Sequence, residues 1–142
     1  MRTEPREITN SEDLIDSRDV IARIEALEDE RDNFTIEDQP AASDLDRLKA
    51  WAAENPDEAD ELKALTALAE EAEGYAADWT HGETLIRESY FQTFAQCLAE
   101  DIGAIDANAS WPNTCIDWDQ AARELKMDYT AVDFDGVTYY VR

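Results

Sequence analysis

Residues 130–141 read TAVDFDGVTYYV and carry the clearest local structural signal in the chain. Asp135-Gly136 lies between two alternating runs and predicts a two-residue β-hairpin, because both turn residues need a positive φ. Such a turn pairs Phe134 with Val137 and gives the hairpin one apolar face that can pack on helices. A lone hairpin is only marginally stable in water, so we expect this one to pack on a helix or join another strand.

Upstream of the hairpin, apolar residues recur mostly at helical spacing. This spacing predicts helices over about residues 17–31, 44–55, 57–73, 83–102 and 118–126. Asp16 or Ser17 is expected to cap the first helix, and Asp117 the last. In the second helix we expect Leu45, Leu48 and Ala52 to share the apolar face, and in the fourth we expect Cys97 to be a buried thiol.

These elements predict an α+β fold, in which a mostly helical acidic N-terminal half packs on a small helix-helix-β-hairpin module. The predicted parts are a flexible N-terminus over 1–16, an acidic helical segment over 17–74 and the module over 75–142. A connector that contains Pro40 is expected over 33–43. The aromatic-rich module is the better candidate for the folding core. The 142 residues fit one domain, and 44% apolar content argues against a wholly disordered acidic chain.

The charge is strongly negative along the whole sequence. With 12 Lys+Arg and 35 Asp+Glu, the net charge is −23, divided as −8, −8 and −7 over residues 1–40, 41–80 and 81–142. Such a protein is repelled by nucleic-acid phosphates and anionic membranes, so the charge excludes direct binding to either and favours a basic partner. No apolar run resembles a signal peptide or a membrane span, which predicts a cytoplasmic location.

The motifs of catalysis and metal binding are missing from the sequence. Cys97 and Cys115 form neither a CxxC pair nor a Cys/His cluster, and there is no Gly-rich phosphate loop, nucleophile elbow or HExxH motif. His81, beside Gly82, is more readily a turn residue than a general base. We therefore predict that the protein is not an enzyme and uses no metal or cofactor.

Several acidic residues lie where they lower helix stability. The helix dipole disfavours anions at a C-terminal end by a few tenths to about 1 kcal/mol each, and like charges three or four residues apart add a similar cost. Acids at the ends of the first and third helices therefore indicate selection for negative potential itself. The candidate partner-binding residues are the solvent-facing acids of these two helices, chiefly Glu25, Glu28, Asp29, Asp60, Glu61, Glu70, Glu71 and Glu73.

Three functions are compatible with this surface. Carboxylates can imitate B-form DNA, which carries about one charge per 1.7 Å of axis, and so occupy the basic groove of a DNA-binding protein. The surface can instead be a generic solubility or halophilic one. The third is an acidic adaptor or assembly protein that binds through apolar helix faces, which an exposed apolar stripe on the second or third helix would favour.

Four segments in the second half follow a recognisable order: Tyr90-Phe91-Gln92-Thr93-Phe94-Ala95-Gln96, then Glu100-Asp101-Ile102-Gly103-Ala104, then Ile116-Asp117-Trp118 with Ala121-Ala122-Arg123-Glu124-Leu125, and the terminal hairpin. Residues 85–142 thereby resemble the last domain of the ArdA-type antirestriction proteins of phages and mobile elements. Members of that family are acidic DNA mimics that inhibit type I restriction-modification enzymes, typically as elongated dimers. The resemblance implies a homodimeric, non-enzymatic inhibitor in the host cytoplasm, whose partner is the DNA-binding groove of a restriction enzyme or, next, a CRISPR effector.

Overall fold

The computed structural model describes residues 6–34, 43–106, 108 and 110–142, and within them the chain forms five α-helices and one four-stranded antiparallel sheet. The predicted α+β class is confirmed, with 56% of the described residues helical. In chain order the elements are β1 Leu14–Asp16, α1 Ser17–Asp32, α2 Asp44–Glu54, α3 Pro56–Glu73, β2 Thr84–Arg87, α4 Phe91–Asp101, α5 Trp118–Lys126, β3 Thr130–Phe134 and β4 Val137–Val141. Most of the predicted connector over 33–43 lies outside the described residues.

The predicted hairpin forms in the predicted register. Phe134 pairs with Val137 at the turn, and Val132 pairs with Tyr139. Asp135 and Gly136 adopt φ values of 49° and 85°, as a two-residue turn of this kind requires. The hairpin also joins another strand, because β4 pairs with β2 and the sheet order is β1-β2-β4-β3.

The sheet is the middle layer of the fold, with different helices on its two faces. On one face, Val132 and Tyr139 share the main core with the buried Leu65 of α3 and with side chains of α1. On the other face, Ile86 joins a smaller cluster with Phe91 of α4 and with side chains of α5. Successive residues of a strand point to opposite faces, so this separation follows from the strand period of two. The predicted segments 17–74 and 75–142 thus contribute side chains to the same main core.

The fourth helix begins later than the sequence predicts. Residues 84–87 form β2, a 3-10 turn covers Glu88–Tyr90, and α4 starts only at Phe91. Leu85 and Ile86 are both buried, one on each face of the sheet, as in a strand that is covered on both sides. Short apolar runs fit helix and strand equally well, and here pairing with β1 and β4 decides the outcome.

The predicted flexible N-terminus is partly wrong. Residues 1–5 lie outside the described residues, but residues 14–16 form β1 at the sheet edge, and Ile8 and Ile15 are buried. We call residues 6–13 the N-terminal strap. The strap runs over the core without regular secondary structure, and the Tyr139 hydroxyl donates a hydrogen bond to the Glu12 carbonyl oxygen.

Two burial predictions also fail. In α2 the buried side chain is Trp51, whereas Leu45 and Leu48 are 59% and 37% exposed. The helix therefore contacts the core through its C-terminal half, where Trp51 and Ala52 lie. Cys97 is exposed rather than buried, because α4 turns Phe91 and Ala95 toward the sheet.

A buried hydroxyl joins the first helix to the loop before β2. Ser17 is fully buried; its Oγ donates to the Trp79 carbonyl oxygen and accepts from the Glu83 amide, both at 2.7 Å. The Ser17 amide in turn donates to the Glu83 carbonyl oxygen at 2.8 Å. As predicted, Asp16 caps α1, with its side chain accepting from the Arg18 amide. These bonds fix the start of α1 against the start of β2.

We expect Ser17→Ala to lower the free energy of unfolding by about 1–3 kcal/mol, because it leaves the buried Trp79 carbonyl group and the half-buried Glu83 amide without their side-chain partner. Urea denaturation measures the loss. The matched control is Ser110→Ala, at an exposed position, which should change stability by less than about 0.5 kcal/mol. Equal effects of the two substitutions would contradict the importance of the Ser17 hydroxyl.

The second prediction concerns alkaline pH. Burial raises the pKa of Tyr139 to about 12 from its ordinary value of 10.0. Above pH 10 the unfolded chain loses this phenolic proton while the native protein keeps it, so stability falls as the pH rises from 10 toward 12. The contribution of Tyr139 to this slope approaches about 1.4 kcal/mol per pH unit, and it is fully retained below pH 10.

Urea unfolding at pH 9, 10 and 11 tests this contribution. Tyr139→Phe should be less stable than the parent by about 0.5–1.5 kcal/mol at pH 9, through loss of the hydrogen bond to Glu12, yet lose less stability as the pH rises. Tyr75→Phe, at a 60% exposed position, should leave the slope unchanged. Parallel slopes for the parent and Tyr139→Phe would show that this phenol does not control alkaline stability.

Candidate functional site

Most of the candidate acids lie on the protein surface. Six of the eight are exposed, three of them near the C-terminal end of α3: Glu25, Asp29, Asp60, Glu70, Glu71 and Glu73. Glu28 is half-buried, and its carboxylate lies 3.7 Å from the Arg31 guanidinium. These residues lie on α1 and α3, so the helices fix the spacing of their backbone positions.

The acids greatly outnumber the cations that could neutralise them. With 35 acidic and 12 basic residues, one-to-one pairing would still leave 23 carboxylates uncompensated. Ion pairs join Arg18 to Asp16 and Arg31 to Glu28 and Asp32, all within α1 or its cap. Lys126 lies over the rings of Phe91 and Tyr140, 5.4 and 5.0 Å from their centroids. The surplus negative charge therefore faces solvent.

Glu61 is not a solvent-facing acid, which corrects the prediction for this residue. Its side chain is 8% exposed and receives two 2.8 Å hydrogen bonds from Nε and Nη2 of Arg23. It also accepts from the Ile8 amide at 3.1 Å. The hydrogen bonds that Arg23 donates to Glu61 raise the pKa of the Arg23 guanidinium. Glu61 thus joins α1, α3 and the N-terminal strap, and it is unavailable to a partner.

Glu71 is exposed but also has a structural contact. Its Oε1 accepts a 3.3 Å hydrogen bond from the Asp133 amide of β3. Because β3 is an edge strand, the outward amides of this strand are open to pairing with another chain. Glu71 therefore covers one such amide and belongs to the sheet edge as well as to the acidic surface.

A shallow groove brings together acidic residues from three separate parts of the sequence. It has a volume of about 280 Å³ and lies between the N-terminal strap, α3 and the hairpin turn. Acidic residues from all three line it together with Phe134: Glu7, Asp57, Asp60, Glu61 and Asp135. Asp57 lies in the first turn of α3, and Asp135 lies in the hairpin turn. No local pattern brings them together, because the contact between Asn10 and Asp135 spans 125 residues.

The described residues contain no group of three or more His, Cys, Asp or Glu side chains arranged to hold a metal ion. His81 lies exposed in the turn before β2, as predicted for a turn residue. In the same described part of the chain, no helix is both long and apolar enough to cross a membrane.

Searches among protein-family models, curated proteins and solved structures found no match to this chain. The resemblance of residues 85–142 to the ArdA-type domain therefore depends on the sequence motifs alone.

The third prediction separates the buried acid from the exposed ones. We expect Glu61→Gln to lower the free energy of unfolding by about 2–4 kcal/mol, because it removes the negative charge that accepts two hydrogen bonds from the largely buried Arg23 guanidinium. Glu70→Gln, at an exposed position of the same helix, should leave stability unchanged or raise it slightly by removing a like charge near the helix C-terminus. Thermal and urea unfolding of both variants measure the difference, and equal losses would contradict the structural role of Glu61.

Proposed function

We propose that this protein is an acidic DNA mimic that inhibits a bacterial DNA-binding defence complex by occupying its DNA-binding groove. The proposed target is a type I restriction-modification enzyme, with a CRISPR effector complex as the next candidate. The protein acts without catalysis and without a cofactor, and its partner is the positively charged groove of the target in the host cytoplasm.

The observation that carries this proposal is the exposure of unpaired carboxylates on folded helices. Glu25 and Asp29 lie one turn apart on α1, and Glu70 and Glu73 lie one turn apart on α3. All four are exposed. Repeated carboxylates at helical spacing can face a row of Lys and Arg side chains, as phosphates do along a DNA strand.

Contacts within the protein reduce the number of proposed contact residues from eight to five. Glu61 is removed from the set by its ion pair, and Glu28 and Glu71 are each partly engaged within the protein. Glu25, Asp29, Asp60, Glu70 and Glu73 remain as the proposed phosphate substitutes. The ArdA-type resemblance of residues 85–142 supports the class of target, while the proposed contacts lie on α1 and α3, outside that stretch.

The fourth prediction tests this set by charge removal. We expect the variant Glu25→Gln, Asp29→Asn, Glu70→Gln, Glu73→Gln to inhibit DNA cleavage by the target at least about tenfold more weakly, since each rim ion pair contributes a few tenths to about 1 kcal/mol. Cleavage of unmodified plasmid by a purified type I enzyme, and by a CRISPR effector complex, measures inhibition. For the parent protein, inhibition should weaken steeply between about 50 and 200 mM salt.

The matched control removes the same charge from the opposite layer of the fold. Glu88→Gln, Glu100→Gln, Asp119→Asn, Glu124→Gln also neutralises four exposed acids, here on the α4–α5 side of the sheet. This variant should inhibit like the parent. Equal losses in the two variants would indicate general charge attraction, and inhibition that does not change with salt would contradict groove occupation.

One observation favours the adaptor function as a second candidate. Leu45 and Leu48 lie one turn apart on α2, and both are exposed. They form a short apolar stripe on the second helix, the feature expected of a protein that binds through an apolar face. In the same assays, a variant with both leucines changed to Gln should inhibit normally if the acids carry binding. A salt-independent loss of binding in that variant would support the adaptor instead.

A further inference from the structure

We propose that the N-terminal strap, residues 6–13, exchanges between a docked and a released state. Repulsion between carboxylates on the strap and on the surface that it meets opposes docking, so salt, which screens this repulsion, favours the docked state. The inference concerns a conformational device of the fold, and it stands whether or not the protein inhibits a DNA-binding complex. It depends on the contacts that hold the strap, on its independence from the helices and on the charges it meets.

The strap is a self-contained unit. Its Thr9 amide donates to the Glu12 carboxylate at 2.9 Å, and the Glu12 amide donates to the Thr9 carbonyl oxygen at 3.4 Å. Arg6 forms an ion pair with Glu12 across the same turn. Because these bonds lie within the strap, the segment can leave the core without losing them.

Few contacts tie the strap to the rest of the protein. Ile8 is its buried anchor, 2% exposed, and the Ile8 amide donates to Glu61. Arg87 Nε donates to the Asn10 carbonyl oxygen at 2.9 Å, the Asn10 side chain donates to the Asp135 carbonyl oxygen at 3.0 Å, and Tyr139 donates to Glu12. Strand pairing begins only at Asp13. Before that residue, the strap is held by separate bonds between side chains and backbone groups and not by a continuous ladder of backbone hydrogen bonds. Segments held in this way open with a smaller free energy than the core.

Docking brings like charges together. Glu7 of the strap lines the same groove as Asp57, Asp60 and Asp135. Arg23 attracts Glu7, but its guanidinium is already ion-paired with Glu61, and Lys63 lies in the neighbouring depression with Asp60 and Asp135. Repulsion among exposed carboxylates is strong at low ionic strength and is screened within about 10 Å at 0.1 M salt. Salt or a cationic partner therefore favours the docked strap, and low salt favours its release.

The fifth prediction uses the Ile8 amide as the reporter, because its hydrogen bond to Glu61 exists only in the docked state. We expect the double variant Asp60→Asn, Asp135→Asn to slow hydrogen exchange at the Ile8 amide by about threefold or more at low ionic strength, relative to the buried Leu65 of α3. Asn tolerates the positive φ of residue 135, and the Asp135 carbonyl oxygen that accepts from Asn10 is retained. In 0.5 M NaCl the difference between variant and parent should disappear.

The control is Glu100→Gln, Glu124→Gln, which removes the same charge on the α4–α5 side of the sheet. This variant should leave the ratio of Ile8 to Leu65 exchange unchanged. The proposal is overturned if Ile8 exchanges only as slowly as Leu65, which would mean that the strap opens only by global unfolding. It is equally overturned if the two double variants act alike, or if the effect of Asp60→Asn, Asp135→Asn persists in 0.5 M NaCl.

Discussion

The position of the sheet relative to the helices depends on the buried Ser17 hydroxyl. Ser17 is the first residue of α1, and its Oγ bonds to Trp79 and Glu83 of the loop that leads from α3 into β2. Gly82 completes this junction: it has a φ of 119°, and a Cβ at this position would lie 2.9 Å from Arg18 Nε. A side chain here would be strained and would press on Arg18. The junction therefore sets where β1 meets β2, and through β2 it sets the place of the hairpin.

A chain with 23 excess negative charges holds its interior together largely through neutral contacts. The long-range bonds that fix the strap and the β2 junction include those of the Ser17 hydroxyl, the Tyr139 phenol and the Asn10 amide side chain. The charged side chains of Arg87 and Glu61 also bond to the strap, each at one of its backbone groups. Arg23 and Glu61 form a nearly buried ion pair between α1 and α3, where a bidentate geometry and the Ile8 amide satisfy the carboxylate. The remaining carboxylates are largely excluded from the core, so their repulsion acts at the surface, where solvent and salt reduce it.

Structural elements that depend on local sequence signals are predicted correctly. Asp135-Gly136 determines the hairpin register because the turn itself requires the positive φ of these two residues. By contrast, β1 and β2 are three and four residues long and owe their structure to pairing between segments 70 residues apart, which no local pattern encodes. The sequence does contain a signal for the burial of Glu61. Glu61 lies four residues before Leu65 and seven before Leu68, on the apolar stripe of α3. A carboxylate at such a position predicts an internal cation, here Arg23. The acidic groove had no such signal, because the strap, α3 and the hairpin supply its residues.

Not every acidic residue at a helix end can be explained by selection for negative potential. Acids at the C-terminal end of α3 suggested negative potential as the selected property, but Glu71 has a second reason to be there, because it covers the Asp133 amide at the sheet edge. Glu70 and Glu73 have no such contact among the described residues and still oppose the helix dipole. On α1, Glu25 and Asp29 are likewise exposed, whereas Glu28 is partly neutralised by Arg31. The carboxylates that favour DNA mimicry are therefore fewer than the 35 acidic residues of the sequence. They are the ones that reduce helix stability and make no contact of this kind within the described part of the chain.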